Sequence, residues 1–247
     1  MEAMNCRLLP WEVGDGAANM AADEVLLETA CVGRAGLRFY AWSQPTLSLG
    51  YFQPAALGQG GEPWARLPRV RRPSGGGALI HHVELTYALA LPAGPRWQPV
   101  GNSWLVRMHG LIAAALREFG VLTQLWAGGS LGQPADAPLC FQRLTRGDLL
   151  LDAAKIVGSA QRRRRGALLQ HGAILLAASP HAPELAGIFE QTGRRIACRE
   201  LAEAIRSTFV QATNWTLHED DWHADERRLI GELATGKYQQ PTWNLKR

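Results

Sequence analysis

The chain has 247 residues, 47% of them hydrophobic and 19% charged, enough for one large domain or two small ones around a sizeable core. No apolar run reaches the ~18 residues a membrane span needs, and Met1-Glu2-Ala3-Met4-Asn5 lacks the basic and apolar parts of a signal peptide, so a cytoplasmic protein with no membrane partner is expected. A net charge of +4 favours acidic partners without choosing among an acidic protein surface, an anionic cofactor and nucleic acid.

Residues 19–31 carry apolar side chains at helical spacing, with Asn19 as the expected N-cap. Residues 37–42 alternate and are rich in aromatics, which predicts a strand, and 46–51 read as its hairpin partner after the turn Ser43-Gln44-Pro45. A loop or short helix to about residue 67 leads into Val70-Arg71-Arg72, then a glycine run, then strands over 78–81 and 85–91. Residues 103–119 predict a second helix ending at Gly120, followed by a short strand over 121–126 and a Gly/Pro-rich loop over 128–138. Strands are expected over 150–152, 156–161 and 167–176, with turns at Ala153-Ala154 and Arg164-Arg165-Gly166. Segments 183–189, 199–213 and 219–235 read as helices, and the tail from Gly236 as irregular. Helices mixed with runs of strands, without βαβ alternation, indicate an α+β fold: mixed and antiparallel sheets packed with helices.

The four cysteines, at 6, 31, 140 and 198, show no CxxC and no zinc-ligand spacing, so free thiols are expected in a reducing compartment. Ser74-Gly75-Gly76-Gly77 is the most unusual run. Three glycines leave backbone N–H groups open to a carbonyl, a phosphate or an acyl group, and two arginines and His81 flank them. It is not a P-loop, because no GxxxxGK[ST] is present. Gly128-Gly129-Ser130-Leu131-Gly132 matches G-x-S-x-G, but Pro134 and Pro138 disfavour the helix a nucleophile elbow needs. His218 and His223 are spaced wrongly for one helical face, so the acidic residues between them are placed in the first turn of the last helix and no metal is expected. The run Arg162-Arg163-Arg164-Arg165 at a hairpin tip reads as a solvated face or a surface for an acidic protein, not as a nucleic-acid site. Cys140 and Lys155 are the sharp pair: an ammonium close to a thiol favours the nucleophilic thiolate, although fifteen residues of separation do not establish contact.

These residues resemble the lipoate ligase and octanoyltransferase superfamily, which shares its catalytic fold with the biotin protein ligases. The run from Arg71 and Arg72 through Ser74, Gly75, Gly76, Gly77 and Ala78 to His81 resembles its RR-x-[ST]-GGG-A-x-x-H loop. Lys155-Ile156-Val157-Gly158-Ser159-Ala160-Gln161 and Leu169-Gln170-His171-Gly172 resemble its lysine motif and the HG strand that follows. Asn19-Met20-Ala21, Asp23-Glu24, Trp42 with Pro45-Thr46, Ser48 and Gly50-Tyr51-Phe52-Gln53 match its N-terminal pattern, and Lys237-Tyr238 and Trp243-Asn244 its C-terminal one. His82 stands where an acidic residue is common, and Ala153-Ala154 replace a Gly-basic pair.

The resemblance implies a single catalytic domain over 1–247 with no C-terminal accessory domain, and no cofactor. Cys140-Phe141, fifteen residues before the motif lysine, looks like the cysteine-using octanoyltransferases rather than the ATP-using ligases. The implied reaction moves an octanoyl group from octanoyl-acyl carrier protein onto Cys140, then onto a lysine of a lipoyl domain. Glycine cleavage H protein or the acyltransferase subunit of a 2-oxoacid dehydrogenase would be such an acceptor. Cys140 and Lys155 are the implied catalytic residues, with Lys155 favouring the thiolate and later assisting proton transfer from the amine. Arg72, Ser74, Gly75, Gly76, Gly77, Ala78, His81, Gly158, Ser159, Ala160, His171 and Gly172 are the implied substrate-binding residues, with N–H groups near Gly76-Gly77 or Gly158 meeting the oxyanion. An ATP-dependent lipoate or octanoate ligase, an amidotransferase between two lipoyl domains, and a basic binding module are the alternatives.

Overall fold

A computed structural model describes residues 4–57, 61–98, 103–129 and 137–246; the G-x-S-x-G serine, Ser130, lies outside them. The first half contains β1 (Asn5–Leu8), β2 (Glu12–Gly14), α1 (Gly16–Cys31), β3 (Gly36–Trp42), β4 (Thr46–Leu49), β5 (Arg69–Arg71), β6 (Leu79–His81), β7 (Glu84–Leu91) and α2 (Trp104–Glu118). The second half contains β8 (Gln124–Leu125), β9 (Leu149–Leu151), β10 (Ala154–Arg164), β11 (Ala167–Leu175), α3 (Ile188–Thr192), α4 (Cys198–Thr213), β12 (Thr216–Glu219), α5 (Ala224–Leu233) and α6 (Pro241–Asn244).

Among the described residues, one large sheet runs β12-β1-β3-β7-β11-β10-β9-β8, with β2 also on β3, and a small sheet runs β5-β4-β6. From β3 to β8 every pairing along that order is antiparallel, while β1 pairs β12 and β3 in parallel. The α+β class expected from the sequence is the class found.

The middle of the large sheet is covered on both faces. All of β7 (ELTYALAL) is buried, and its two faces differ in size. Leu85, Tyr87, Leu89 and Leu91 meet Met108, Ile112 and Leu116 of α2 and Ile205 and Phe209 of α4. Ala88 and Ala90 face Met20, Val25 and Leu26 of α1. Period-two alternation thus presents large side chains to the α2 and α4 layer and alanines to α1. No helix among the described residues is long and apolar enough to cross a membrane.

Several local expectations are corrected. The N-cap of α1 is Asp15, whose carboxylate accepts the Ala18 N–H. Asn19 is instead buried one turn later and donates to Gly14 O and Ala41 O, tying α1 to the ends of β2 and β3. The 46–51 segment does not return along β3; β4 joins the small sheet, parallel to β5 and antiparallel to β6. Strands β1, β2 and β12 had no local signal, because each is short and pairs in parallel with a distant segment. The helix expected over 219–235 begins only after His223, because Thr216–Glu219 pairs with β1, and Asp220 and Asp221 are drawn to Arg7 and Arg227. The helix expected over 183–189 begins at Ile188, after Gly187.

The tail is structured too. A widened turn over Ala234–Tyr238 leads to α6. Asn244 Oδ1 accepts the Arg71 N–H at 2.8 Å, its carbonyl accepts the Arg71 guanidinium, and Trp243 Nε1 donates to Arg71 O at 2.8 Å. Of the two adjacent arginines, Arg71 anchors the tail and only Arg72 is left for the glycine loop.

Candidate functional site

The site lies where the small sheet abuts β10 and β11. Leu139 bridges Ala78 in parallel, with Ala78 N–H donating to Pro138 O at 3.1 Å and Cys140 N–H donating to Ala78 O at 2.6 Å. The glycine loop and the cysteine segment are therefore joined by backbone. Close approach requires Gly77 to lack a side chain, because a Cβ there would fall 3.1 Å from both Cys140 Cα and Cys140 N. Gly76 has φ +93°, in the left-handed region that glycine adopts without steric cost. No described acceptor receives the N–H groups of Gly76 and Gly77.

The loop is shaped from inside by Arg72, which is buried. Its guanidinium donates to Ser48 O, Ser48 Oγ, Gly75 O and Gly77 O at 2.6–3.2 Å. Burial lowers the Arg72 pKa, and a thiolate at Cys140 would oppose that shift.

Cys140 opens a single 3-10 turn, Cys140–Gln142, and is half-buried. Lys155, near the start of β10, reaches across to it. Its Nζ lies 3.8 Å from Cys140 Sγ, 3.2 Å from Cys140 O, 3.1 Å from Arg143 O and 2.7 Å from Asp148 Oδ2. Both side chains of the Lys155–Asp148 pair are 2% exposed. Burial pushes the Asp148 carboxyl up, and the Lys155 ammonium opposes it.

Across β10 and β11, Ser159 pairs with Gly172 and Ala160 with His171. A side chain on Gly172 would overlap Ser159 Oγ. His171 Nδ1 stands 2.7 Å from Asp23 Oδ2 and Nε2 stands 2.5 Å from Ser74 Oγ. Arg38 and Tyr40 in turn hold Asp23 at 3.0 and 2.9 Å. His81 is stacked on Trp42, with Nδ1 2.7 Å from Glu84 and Nε2 3.0 Å from Ser48 Oγ; burial lowers its pKa, against the pull of Glu84. A further buried chain runs from Gln170 to Tyr87 OH, to Ser159 Oγ, to His109 Nε2, and ends where His109 Nδ1 meets Gly147 O at 2.6 Å.

These groups line a small, half-open pocket formed by Arg72, His81, Cys140, Gly158, Ser159, Ala160, His171 and Gly172, with Met20, Leu79, Phe141 and Ala173 as apolar walls. That mixture suits a ligand with one polar end and one apolar one. Ser74, Gly75, Gly76, Gly77 and Ala78 form the adjoining loop. Lys155 reaches the pocket's rim through Cys140 and lines an open groove with Pro138, Gln142 and Leu185 on the other side.

Sequence reasoning missed Asp148, Glu84, Tyr87 and His109, and it saw Asp23 and Ser48 only as part of a pattern. A histidine among Leu105, Met108, Ile112 and Leu116 on α2 was the one available signal. His218 and His223 sit on β12 and at the start of α5, at the far end of the sheet order from β10. The tip arginines are exposed, with Arg164 bound to Glu28 and Arg163 to Gln98. Among the described residues no cluster of His, Cys, Asp and Glu is suited to a metal ion.

Residues 15–207 match the lipoyl protein ligase A/B catalytic domain. Octanoyltransferase LipM of Geobacillus kaustophilus is 32% identical over 94% of each chain, and that of Kyrpidia tusciae is 31% identical over 98% of each. Among solved structures, a lipoate-protein ligase A bound with ATP superposes with a TM-score of 0.77 at 23% identity, covering 98% of this chain and 99% of that one. A bi-partite archaeal lipoate protein ligase from Thermoplasma acidophilum gives 0.71 at 20% identity, covering 99% and 97%. At such identities the structures establish the fold alone, whereas the family match and the near-full-length relatives carry more: the chain belongs to the lipoyl protein ligase A/B catalytic domain family, on its octanoyltransferase branch.

Proposed function

We propose that this chain moves an octanoyl group from octanoyl-acyl carrier protein to a lysine of a lipoyl domain, through a thioester on Cys140. It is an acyltransferase of lipoate biosynthesis. The observation that carries the thioester is the 3.8 Å approach of Lys155 Nζ to Cys140 Sγ at the edge of a half-apolar pocket. An ammonium at that distance favours a thiolate.

In the first half-reaction the Cys140 thiolate attacks the carrier thioester. The octanoyl chain then lies along Met20, Leu79, Phe141 and Ala173, gaining roughly 0.8 kcal/mol per buried methylene. The N–H groups of Gly76 and Gly77 face the developing oxyanion, where one such donor is worth about 2.7–4 kcal/mol. In the second half-reaction the lysine amine of the acceptor displaces the thiolate. Acceptors of the proposed kind are glycine cleavage H protein and the acyltransferase subunits of 2-oxoacid dehydrogenases. We place the reaction in the cytoplasm, where four unpaired cysteines persist as thiols.

Intact-mass measurement after incubation with octanoyl-acyl carrier protein tests the assignment. The expected result is one octanoyl adduct on the wild type and none on Cys140→Ala. An undiminished adduct on that variant, or octanoyl transfer that requires ATP and releases pyrophosphate, would overturn it.

A further inference from the structure

Strand β10 walls the pocket and then continues outward to the surface. Gly158 and Ala160 line the pocket, and so do their cross-strand partners on β11, Ala173 and His171. Arg162 stands opposite Leu169, one pleat further along the same face. Two residues of strand span about 7 Å, so Arg162 lies that far beyond the pocket wall, and it is exposed.

Its neighbours come from the segment beside the glycine loop and from the tail. The Arg162 guanidinium lies 5.7 Å from the centre of the Tyr51 ring, and the Tyr51 N–H donates to Ser74 O at 2.8 Å. Lys246 Nζ stands 3.7 Å from the same ring and 3.4 Å from that of Trp243, which meets Tyr51 edge-on at 5.9 Å. Phe52 packs edge-on against Tyr51 at 5.0 Å and is 69% exposed. It reaches the loop so closely that a Cβ on Gly75 would lie 3.8 Å from its ring. Together these side chains form an aromatic shelf beside the glycine loop, with cations at its edge.

The carboxylates nearest this region, Glu24 and Glu28 of α1, are already engaged by Lys237 and Arg164. Arg163 turns away to Gln98. Among the described residues Arg162 pairs with no carboxylate, and of the four arginines at the hairpin tip it is the one recorded against the shelf. An exposed aromatic surface edged by cations fits an acidic protein face with an apolar centre.

Reach distinguishes the two protein substrates. A lysine side chain extends roughly 6 Å from its backbone, so a lipoyl domain must bring its own surface almost to the pocket before its amine meets the thioester. The carrier offers its acyl group on a long flexible arm, and its body can stay further out. Resting on the transfer reaction through Cys140, we propose that Tyr51, Phe52 and Trp243, with Arg162 and Lys246, form the docking surface for the acceptor domain. The surface selects a lysine flanked by carboxylates.

The double variant Arg162→Glu/Lys246→Glu tests this, with the two half-reactions followed separately. Octanoyl-acyl carrier protein loads Cys140, and the preloaded enzyme then transfers to a lipoyl domain. The Cys140 adduct should form within about twofold of the wild-type rate. Amide formation at low acceptor concentration should fall about tenfold, through KM rather than kcat, and lose most of its wild-type sensitivity to added salt. A lipoyl domain whose residues flanking the target lysine are changed from carboxylates to lysines should be a poor acceptor for the wild type and a better one for the double variant. Slower adduct formation with an unchanged acceptor KM would assign the surface to the carrier and overturn the proposal, as would an unchanged acceptor KM with unchanged adduct formation. Absence of any adduct on the wild type would instead overturn the transfer reaction on which the proposal rests.

Discussion

Gly158 and Lys155 share one space. A Cβ on Gly158 would stand 2.5 Å from Lys155 Cε and 3.0 Å from its Nζ. The lysine cannot swing aside without giving up its contacts to Asp148 and to the carbonyls of Cys140 and Arg143. Gly158→Ala should therefore keep the fold but displace the ammonium from Cys140. Alkylation of Cys140 by iodoacetamide at neutral pH should slow, and octanoyl transfer should fall at least about tenfold, equivalent to ~1.4 kcal/mol.

The buried Lys155–Asp148 pair makes a second prediction. Asp148→Asn leaves a buried ammonium without its carboxylate, and such a broken pair costs about 3–5 kcal/mol. Urea unfolding should show that loss in the single variant. The double variant Asp148→Asn/Lys155→Met should be destabilised by less than the sum of its two single changes, because no buried charge is left stranded.

Arg72 is the third. Its forked donors reach four acceptors on two segments, a geometry that a lysine ammonium cannot reproduce. Arg72→Lys should retain the charge and still lose the loop: stability should drop by on the order of 2 kcal/mol, and octanoyl transfer should fall at least about tenfold. Chemical denaturation and a transfer assay measure the two effects separately.

The sequence shows part of this arrangement and conceals the rest for physical reasons. The glycine loop, Lys155, Gly158 and His171-Gly172 are legible because each forms a short contiguous run whose backbone needs are local. The strand pair 156–161 and 167–176 was legible for the same reason. Asp148 and Glu84 are single polar residues whose partners lie on other strands, and Ser48, seen only as part of a pattern, has its partners on other segments too. The β9–β10 pairing brings Asp148 to Lys155, the β4–β6 pairing brings Ser48 to His81, and the tight β6–β7 connection brings Glu84 to His81. Asp23 was legible only as part of the N-terminal pattern, whereas its side chain points into the sheet at His171 and Arg38. The parallel strands β1 and β12 were hidden because their pairing joins residues 5–8 to 216–219, and neither segment alternates strongly enough to be read alone.

His109 predicts a pH dependence of stability. Burial depresses its pKa to about 4 in the folded state, where Nδ1 meets Gly147 O and Nε2 meets Ser159 Oγ. The unfolded histidine titrates near ~6.5, so between the two values the unfolded chain binds the extra proton. This contribution to stability is complete above ~6.5 and is lost as pH falls towards about 4, an effect on the order of 3 kcal/mol. His109→Gln should flatten the stability-versus-pH curve in that window, as read by urea midpoints at several pH values.

The cysteine segment is gripped by its main chain: Cys140 N–H on Ala78 O, Ala78 N–H on Pro138 O, and Gly77 packed on the Cys140 α-carbon. None of these contacts involves the sulfur. Position 140 is thus a socket whose occupant can be exchanged without loosening its mount. A serine or a selenocysteine should seat there as well as the native residue, so the reacting atom can be varied for mechanistic work while the scaffold stays constant.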